Sequence, residues 1–287
     1  MNCIIALDVG GSSVKSALVA AADRTNITVT STPINSRSDR HTILSTLRQT
    51  VQKHLLELTQ RNALCLGIGV GFPGPCDYAS GTVLVKGVEK YEALYGLNLR
   101  DELRTELNGH DLPIRFQNDA VCALVAEARY GKGKPCKRLL GIVLGTGTGS
   151  AFIVDGKQVV TGQGVPISGY LYAEPFAGTT ADEMFSTRGL QARLSSVDKS
   201  ISIQNAAQRA RSGDKQLSDV FAEFGQDLGL FLTPYATGFQ ADALIVLGGI
   251  AQTGDLFGET LKRHLPVPFY QGSFQDKAGV LGASLLF

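Results

Sequence analysis

Ile4-Ile5-Ala6-Leu7-Asp8-Val9-Gly10-Gly11-Ser12-Ser13-Val14-Lys15-Ser16-Ala17-Leu18-Val19 is an apolar run that ends in an acid, breaks at two glycines and two serines, and resumes with alternating apolar residues. The pattern predicts strand, tight turn, strand, with the Asp8 carboxylate at the mouth of a β-hairpin. Glycine lets backbone N–H groups come close to a phosphate. The hydroxyls of Ser12 and Ser13 add donors, Lys15 supplies positive charge, and Asp8 can hold a hydrated Mg²⁺. These are the parts of a triphosphate cradle. The same residues also make an ordinary Gly-Gly hairpin turn with polar decoration, and the stretch taken alone leaves both readings open.

Composition sets the limits around this hairpin. A chain of 287 residues has length for about two domains, each large enough to bury its own core. Hydrophobic residues at 44% against 18% charged indicate a globular chain rather than a disordered one. A net charge of +1 without a Lys/Arg run argues against nucleic acid as a partner, since non-specific binding needs a basic excess to displace counterions. No apolar run reaches the ~18 residues of a membrane span. The N-terminus reads as a strand and not as a charged-then-apolar leader, so no signal peptide is expected. Cys3, Cys65, Cys76, Cys122 and Cys136 are odd in number and lack C-x-x-C spacing. They are expected to be reduced packing residues of a cytoplasmic protein, not zinc ligands.

After the hairpin, Ile27 to Thr30 predicts a third strand, and Arg40 to Asn62 carries Ile43, Leu44, Leu47, Val51, Leu55, Leu56 and Leu58 at the spacing of an amphipathic helix. Leu64 to Phe72 predicts a buried strand running into the loop Phe72-Pro73-Gly74-Pro75. Loops at the carboxyl ends of strands are where α/β folds bind ligands, which makes Gly74 a substrate-site candidate, although a plain Pro-Gly turn reads the same way. Asp101 to Asn108 predicts a short helix, and Ile114-Arg115-Phe116 a strand that stops at Gln117-Asn118-Asp119-Ala120. Ala120 to Tyr130 predicts the helix that follows. One polar residue at such a junction is an N-cap. Two in a row leave a side chain free, and a free carboxylate there can take the proton from a hydroxyl attacking phosphorus, so Asp119 is the candidate base.

Leu139 to Leu144, Gly145-Thr146-Gly147-Thr148-Gly149-Ser150 and Ala151 to Val154 repeat the strand–glycine/hydroxyl turn–strand pattern, and Asp155-Gly156 turns into a further strand. Two such hairpins more than a hundred residues apart imply two similar halves serving one nucleotide. Leu244 to Leu247 ends at Gly248-Gly249 before a helix, which reads either as backbone approach to an adenosine or as a close-packed strand–helix turn. Gln191 to Leu228 predicts helices with loops at 195–200 and 212–214. The face bearing Phe221, Phe224, Leu228, Phe231 and Leu232 is core packing. The scattered histidines His41, His54, His110 and His264 are assigned no chemistry.

In this order, LDVGGSSVK, GVGFPGP, QNDA, GTGTGS and VLGGIA resemble the ROK family of sugar kinases and repressors, within the actin/hexokinase/Hsp70 superfamily, over nearly the whole chain. The resemblance implies an α/β fold of two ribonuclease-H-like domains, the actin-like ATPase arrangement, with ATP and Mg²⁺ in an interdomain cleft and the γ-phosphoryl passing to a sugar hydroxyl. It implies that 1–118 with a C-terminal helix at about 275–287 forms one domain and 119–274 the other, so that the chain crosses between them twice. It places Asp8, Gly10, Gly11, Ser12 and Lys15 in the first phosphate motif and Gly145, Thr146, Gly147 and Thr148 in the second. Asn118 becomes a sugar contact and Asp119 the catalytic base, and the assembly is expected to be a homodimer.

The sequence also departs from the family pattern. Where the family has a Gly-Glu-x-Gly-His element and a zinc-binding cysteine cluster, this chain has Pro166-Ile167-Ser168-Gly169-Tyr170, so Ile167 and Tyr170 replace the Glu and His, and no structural zinc is expected. The next family glutamate corresponds to Glu183, which is otherwise a first-turn acid favoured by a helix dipole. Gly87-Val88-Glu89-Lys90-Tyr91 stands where the family offers an asparagine to the sugar. These changes leave the sugar open and admit two variants, a polyphosphate-using glucokinase and a non-catalytic sugar-sensing protein. A repressor would need a helix–turn–helix ahead of the core, and with Asp8 eight residues from the start none is expected.

Overall fold

The computed structural model describes residues 1–87, 90–107 and 112–287. They divide into two compact units, Met1–Ala126 with Asp276–Phe287, and Glu127–Gln275. In the first, β1 (Asn2–Val9) and β2 (Ser13–Ala20) form the predicted antiparallel hairpin, with Asp8 opposite Lys15. The edge strand β3 is Thr30–Pro33, three residues later than the sequence predicts, and pairs with Ser13–Ser16. Its last residue is a proline, which can lie only where no ladder donor is required, as on this edge. Next come α1 (Arg40–Gln60), capped by Asp39 accepting from the Thr42 amide, and β4 (Leu64–Phe72), parallel to β1. The two-residue strands β5 (Cys76–Asp77) and β6 (Thr82–Val83) pair antiparallel beyond it.

The predicted helix at 101–108 is instead α2 (Leu99–Arg104), because Asn98 accepts from the Arg100 and Asp101 amides and starts it earlier; a 3₁₀ turn, Thr105–Leu107, follows, and Asn108 lies outside the described residues. Then β7 (Ile114–Asn118) adds in parallel to β4 and runs straight into α3 (Asp119–Tyr130). The sheet order is β3-β2-β1-β4-β7. Ile43, Leu47, Val51 and Leu58 of α1 are buried in a core with Ile5, Leu7, Ile68 and Val70 of the sheet, as the helical spacing requires. The change of unit falls within α3, between Ala126 and Glu127, so Asp119 belongs to the first unit.

The second unit repeats the plan. β8 (Arg138–Leu144), β9 (Thr148–Val154) and β10 (Lys157–Val159) are antiparallel in turn, and β9 and β10 are joined by Asp155 and Gly156 at φ 50° and 71°, the left-handed pair of a two-residue hairpin. A small ribbon follows, β11 (Pro175–Phe176) with β12 (Thr179–Thr180), then α4 (Ala181–Phe185), α5 (Thr187–Leu194), α6 (Ile203–Arg211) and α7 (Lys215–Phe239). Next, β13 (Ala243–Leu247) lies parallel to β8; after α8 (Gly254–His264), β14 (Phe269–Gln271) lies parallel to β13. The order β10-β9-β8-β13-β14 reproduces the first sheet strand for strand. The core is aromatic, with the Phe185 ring 5.5, 5.8 and 5.2 Å from Phe176, Phe224 and Phe231. The chain ends in α9 (Ala278–Ser284), which returns to the first sheet, where a Cβ on Gly69 would stand 2.0 Å from the Ala283 carbonyl oxygen.

Candidate active site

In the first unit Asp8 stands near the carboxyl end of β1 and Asn118-Asp119 at the carboxyl end of β7, with the Gly74 loop after β4. The turn between β1 and β2 closes on itself, the Gly10 N–H donating to Ser13 O at 2.9 Å. Its carbonyls face the protein. Tyr91 Oη donates to Gly10 O at 2.5 Å, the Ser36 amide to Gly11 O at 3.2 Å and the Ile34 amide to Ser12 O at 3.0 Å. With the carbonyls occupied, the polar groups the turn offers outward are amides and serine hydroxyls, and Gly11 and Ser12 are exposed. Neither Gly10 nor Gly11 has a positive φ. A Cβ on Gly11 would meet nothing closer than 3.7 Å, so the fold itself does not demand glycine there, whereas a ligand lying on the backbone would.

Asp8 ends β1 half-buried beneath this turn. Burial and, after it, the charge of Asp119 push its carboxyl up to about 7, against the pull of Lys15. Gly279 of α9 lies on the carboxylate, for a Cβ there would stand 2.2 Å from Asp8 Oδ2. Lys15, expected at phosphate, has its Nζ on Asp276 at 2.7 Å. Asp8 is thus a carboxylate short of cation, and such a donor suits a hydrated Mg²⁺ better than a metal caged by protein. Among the described residues no group of three His, Cys, Asp or Glu side chains could hold a metal ion.

At the end of β7 the two polar residues divide the work. Asn118 is the cap, its Oδ1 accepting the Val121 amide at 3.1 Å, while its Nδ2 donates to Tyr78 Oη at 3.1 Å. Gly74 completes this corner, since a Cβ there would lie 3.0 Å from Tyr78 Oη and 3.7 Å from Asn118 Nδ2. Asp119 takes the Ala120 amide on Oδ1 at 2.9 Å. Burial raises its carboxyl above the usual carboxylate range, with the Ala120 hydrogen bond and the Lys90 charge opposing. Asp8, Asp119 and the Tyr91 hydroxyl are near enough that both carboxylates raise the phenol, after burial. Of the segment 87–91, Val88 and Glu89 lie outside the described residues.

In the second unit, the Gly145 N–H donates to Gly147 O at 3.1 Å to close the second turn. Thr187 donates to Gly145 O twice, by its amide at 2.7 Å and its hydroxyl at 2.9 Å. The Thr148 amide is engaged by Asp182 Oδ1 at 2.7 Å and its buried hydroxyl points to Ala181 O at 3.5 Å. Thr148 therefore holds the turn together, and the exposed Thr146 and half-buried Gly147 are the residues it presents. Glu183, the candidate sugar contact, is exposed and paired with Arg188 at 2.7 Å; its neighbour Asp182 is the acid that reaches the turn. Tyr170 is half-buried on a loop tied to β9, where the Leu171 amide donates to Ser150 Oγ at 2.8 Å, and Ile167 is fully exposed.

The two readings of the third glycine pair separate by residue. Gly248, at φ 96°, would drive a Cβ to 2.2 Å from Leu144 O, so it is required by packing; Gly249 has nothing within 4 Å and leaves bare backbone. Tyr78, Tyr91, Asp182, Thr187, Asp276 and Gly279 were not marked as site residues by their sequence context. Each meets its partner across a long sequence separation, and the only local signal was the run of small residues in the tail around Gly279.

The chain is similar to known sugar kinases. A glucokinase of Halalkalibacterium halodurans is 24% identical over 326 aligned residues, covering 98% of this chain and 94% of that one. A β-glucoside kinase of Klebsiella pneumoniae is 25% identical, covering 91% and 86%. The crystal structure of a ROK family glucokinase from Streptomyces griseus, in complex with glucose and AMPPNP, superposes with a TM-score of 0.77 at 20% identity over 99% of this chain and 98% of that one. The profile described as ROK family matches residues 4–287, and the chain belongs to the ROK family.

Proposed function

We propose that the chain phosphorylates a hydroxyl of a hexose such as glucose with ATP. It is a ROK-type sugar kinase, a phosphotransferase with an alcohol group as acceptor. The observation that carries the reading is Asp119, a carboxylate at a strand end whose Oδ1 is pinned by the Ala120 amide and whose basicity is raised by burial. Its other oxygen accepts the proton of the attacking sugar hydroxyl. Asn118, Tyr78 and Gly74, gathered at one corner, orient the sugar, with Tyr170 and Glu183 as further contacts. The amides of Gly11, Ser12, Thr146 and Gly147 and the hydroxyls of Ser12 and Ser13 hold phosphate oxygens. Asp8 would hold Mg²⁺ through water, and the bound ion supplies neutralisation of phosphate charge. The open backbone at Gly249 leaves room for an adenosine, which favours ATP over polyphosphate as donor.

A cytoplasmic homodimer belongs to the same proposal. The test is ADP release from purified protein with Mg-ATP across hexoses, amino sugars and N-acyl sugars, against a no-sugar blank. Turnover on one sugar well above the blank supports the reading and names the acceptor. Mg-ATP binding without turnover on any sugar would replace it with the sensing protein, and turnover with polyphosphate but not ATP would replace the donor.

A further inference from the structure

We infer that Tyr91 and Thr187 are positioning residues that aim the amides of the two glycine turns at phosphate. The inference rests on the kinase reading above. A peptide unit is planar and trans, so the C=O of one residue and the N–H of the next point to opposite sides. Whatever holds the carbonyl therefore aims the following amide. Tyr91 Oη holds Gly10 O at 2.5 Å, which turns the Gly11 N–H away from the protein. Thr187 holds Gly145 O by amide and hydroxyl, which turns the Thr146 N–H outward in the same way.

The two turns match in one more respect, because each first glycine spends its own N–H inside the turn, Gly10 on Ser13 O and Gly145 on Gly147 O. A side-chain hydroxyl from a distant segment then fixes the first glycine's carbonyl. The Tyr91 hydroxyl is not free to swing. The Tyr91 ring is fully buried, 5.1 Å from the Phe72 ring, and its backbone is held in the left-handed region at φ 55° with the amide on Ser36 O at 2.7 Å. A non-glycine residue persists there only where its surroundings over-determine it. Thr187 is the first residue of α5, directly after buried Ser186. Without the Tyr91 hydroxyl, the Gly10–Gly11 peptide has glycine on both sides and little steric bar to rotation, and a rotated unit shows phosphate a carbonyl lone pair in place of a donor.

Tyr91→Phe deletes one oxygen and keeps the ring; Thr187→Val deletes the second hydroxyl, and Thr187→Ser returns it. Calorimetric titration with Mg-ADP, which needs no turnover, is the first readout, followed by KM for ATP and for the sugar. Tyr91→Phe is expected to weaken Mg-ADP and raise KM for ATP about tenfold, the effect of one well-placed hydrogen bond. Thr187→Val has a smaller effect because the Thr187 amide remains, and Thr187→Ser restores wild-type affinity. KM for the sugar stays within about twofold in all three, since neither hydroxyl touches the acceptor corner. Nucleotide affinity unchanged in both Tyr91→Phe and Thr187→Val, with only a lowered melting temperature, would overturn the inference and leave the hydroxyls a structural role. Wild-type protein that binds no Mg-ADP would overturn the ATP-kinase reading on which the inference rests, and is seen in the same titration before any variant is compared.

Discussion

Asp119 and Asp8 share one low-dielectric neighbourhood, and their protons set two measurable pH dependences. Asp119 accepts a proton only when ionised, and burial raises its carboxyl above the ordinary value of 3.8. The acid limb of log kcat against pH is therefore expected above the usual carboxylate range, as an apparent value of the Asp8/Asp119 pair. Asp119→Asn is expected to lower kcat by about 10²–10⁴; steady-state kinetics showing a loss of only a few-fold would remove it as the base. For Asp8, pushed from 3.8 to about 7, the folded chain keeps a proton that the unfolded chain has released between those values. Its contribution to stability is full below 3.8 and is lost as pH rises through about 7. Thermal melting without ligand is thus expected to fall from pH 6 to pH 8 more in the wild type than in Asp8→Asn, and equal slopes would clear Asp8 as the cause. Both acids were legible as strand-end carboxylates. Tyr91 and Asp182 were not, because a hydroxyl 81 residues from Gly10 and an acid 34 residues from Thr148 leave no local pattern.

At the scale of elements, close backbone approach decides what each segment tolerates. Within the first unit, α9 lies so near the sheet and α3 that a Cβ on Gly282 would stand 1.8 Å from Cys122 O and one on Gly279 2.2 Å from Asp8 Oδ2. Gly279→Ala is expected to displace the Asp8 carboxylate, with loss of activity exceeding the loss of stability, checked by kcat and melting temperature on one preparation. Gly248→Ala combines a positive φ with backbone 2.2 Å away, and is expected to destabilise by about 1–3 kcal/mol or more in denaturant unfolding. Gly249→Ala meets nothing, so its stability is expected unchanged and its nucleotide affinity reduced. The strands and the long helices were readable from periodicity to within a few residues. β3 and α2 are short, and their ends follow from edge pairing with β2 and from the Asn98 cap rather than from apolar spacing; the two- and three-residue strands β5, β6, β11, β12 and β14 are too short to carry a period and had no reading.

For the whole molecule, each unit carries the same five-strand order with two antiparallel and two parallel pairings. This repeat puts a glycine turn at the same place in both sheets, between the first and second strands of each unit. The homodimer implied by the family resemblance is expected to sediment at twice the 30.5 kDa chain mass, and a species of single-chain mass at micromolar concentration would reject it. No helix among the described residues is long and apolar enough to cross a membrane, and all five cysteines are free thiols.

The paired glycine–hydroxyl hairpins, the Asn118-Asp119 junction and the alternation of strands and helices are properties of contiguous sequence, because turn chemistry, capping and hydrophobic period act over a few residues. From these alone the two-fold α/β plan and the family follow. Which way each turn peptide faces, that Thr148 is engaged by Asp182, that Lys15 pairs with Asp276 and that Gly279 rests on Asp8 were settled only in three dimensions. Those contacts join segments up to 271 residues apart, from Asp8 to Gly279. Hydrogen bonds and close packing at such range depend on where the sheet delivers each partner, not on what precedes it in the chain.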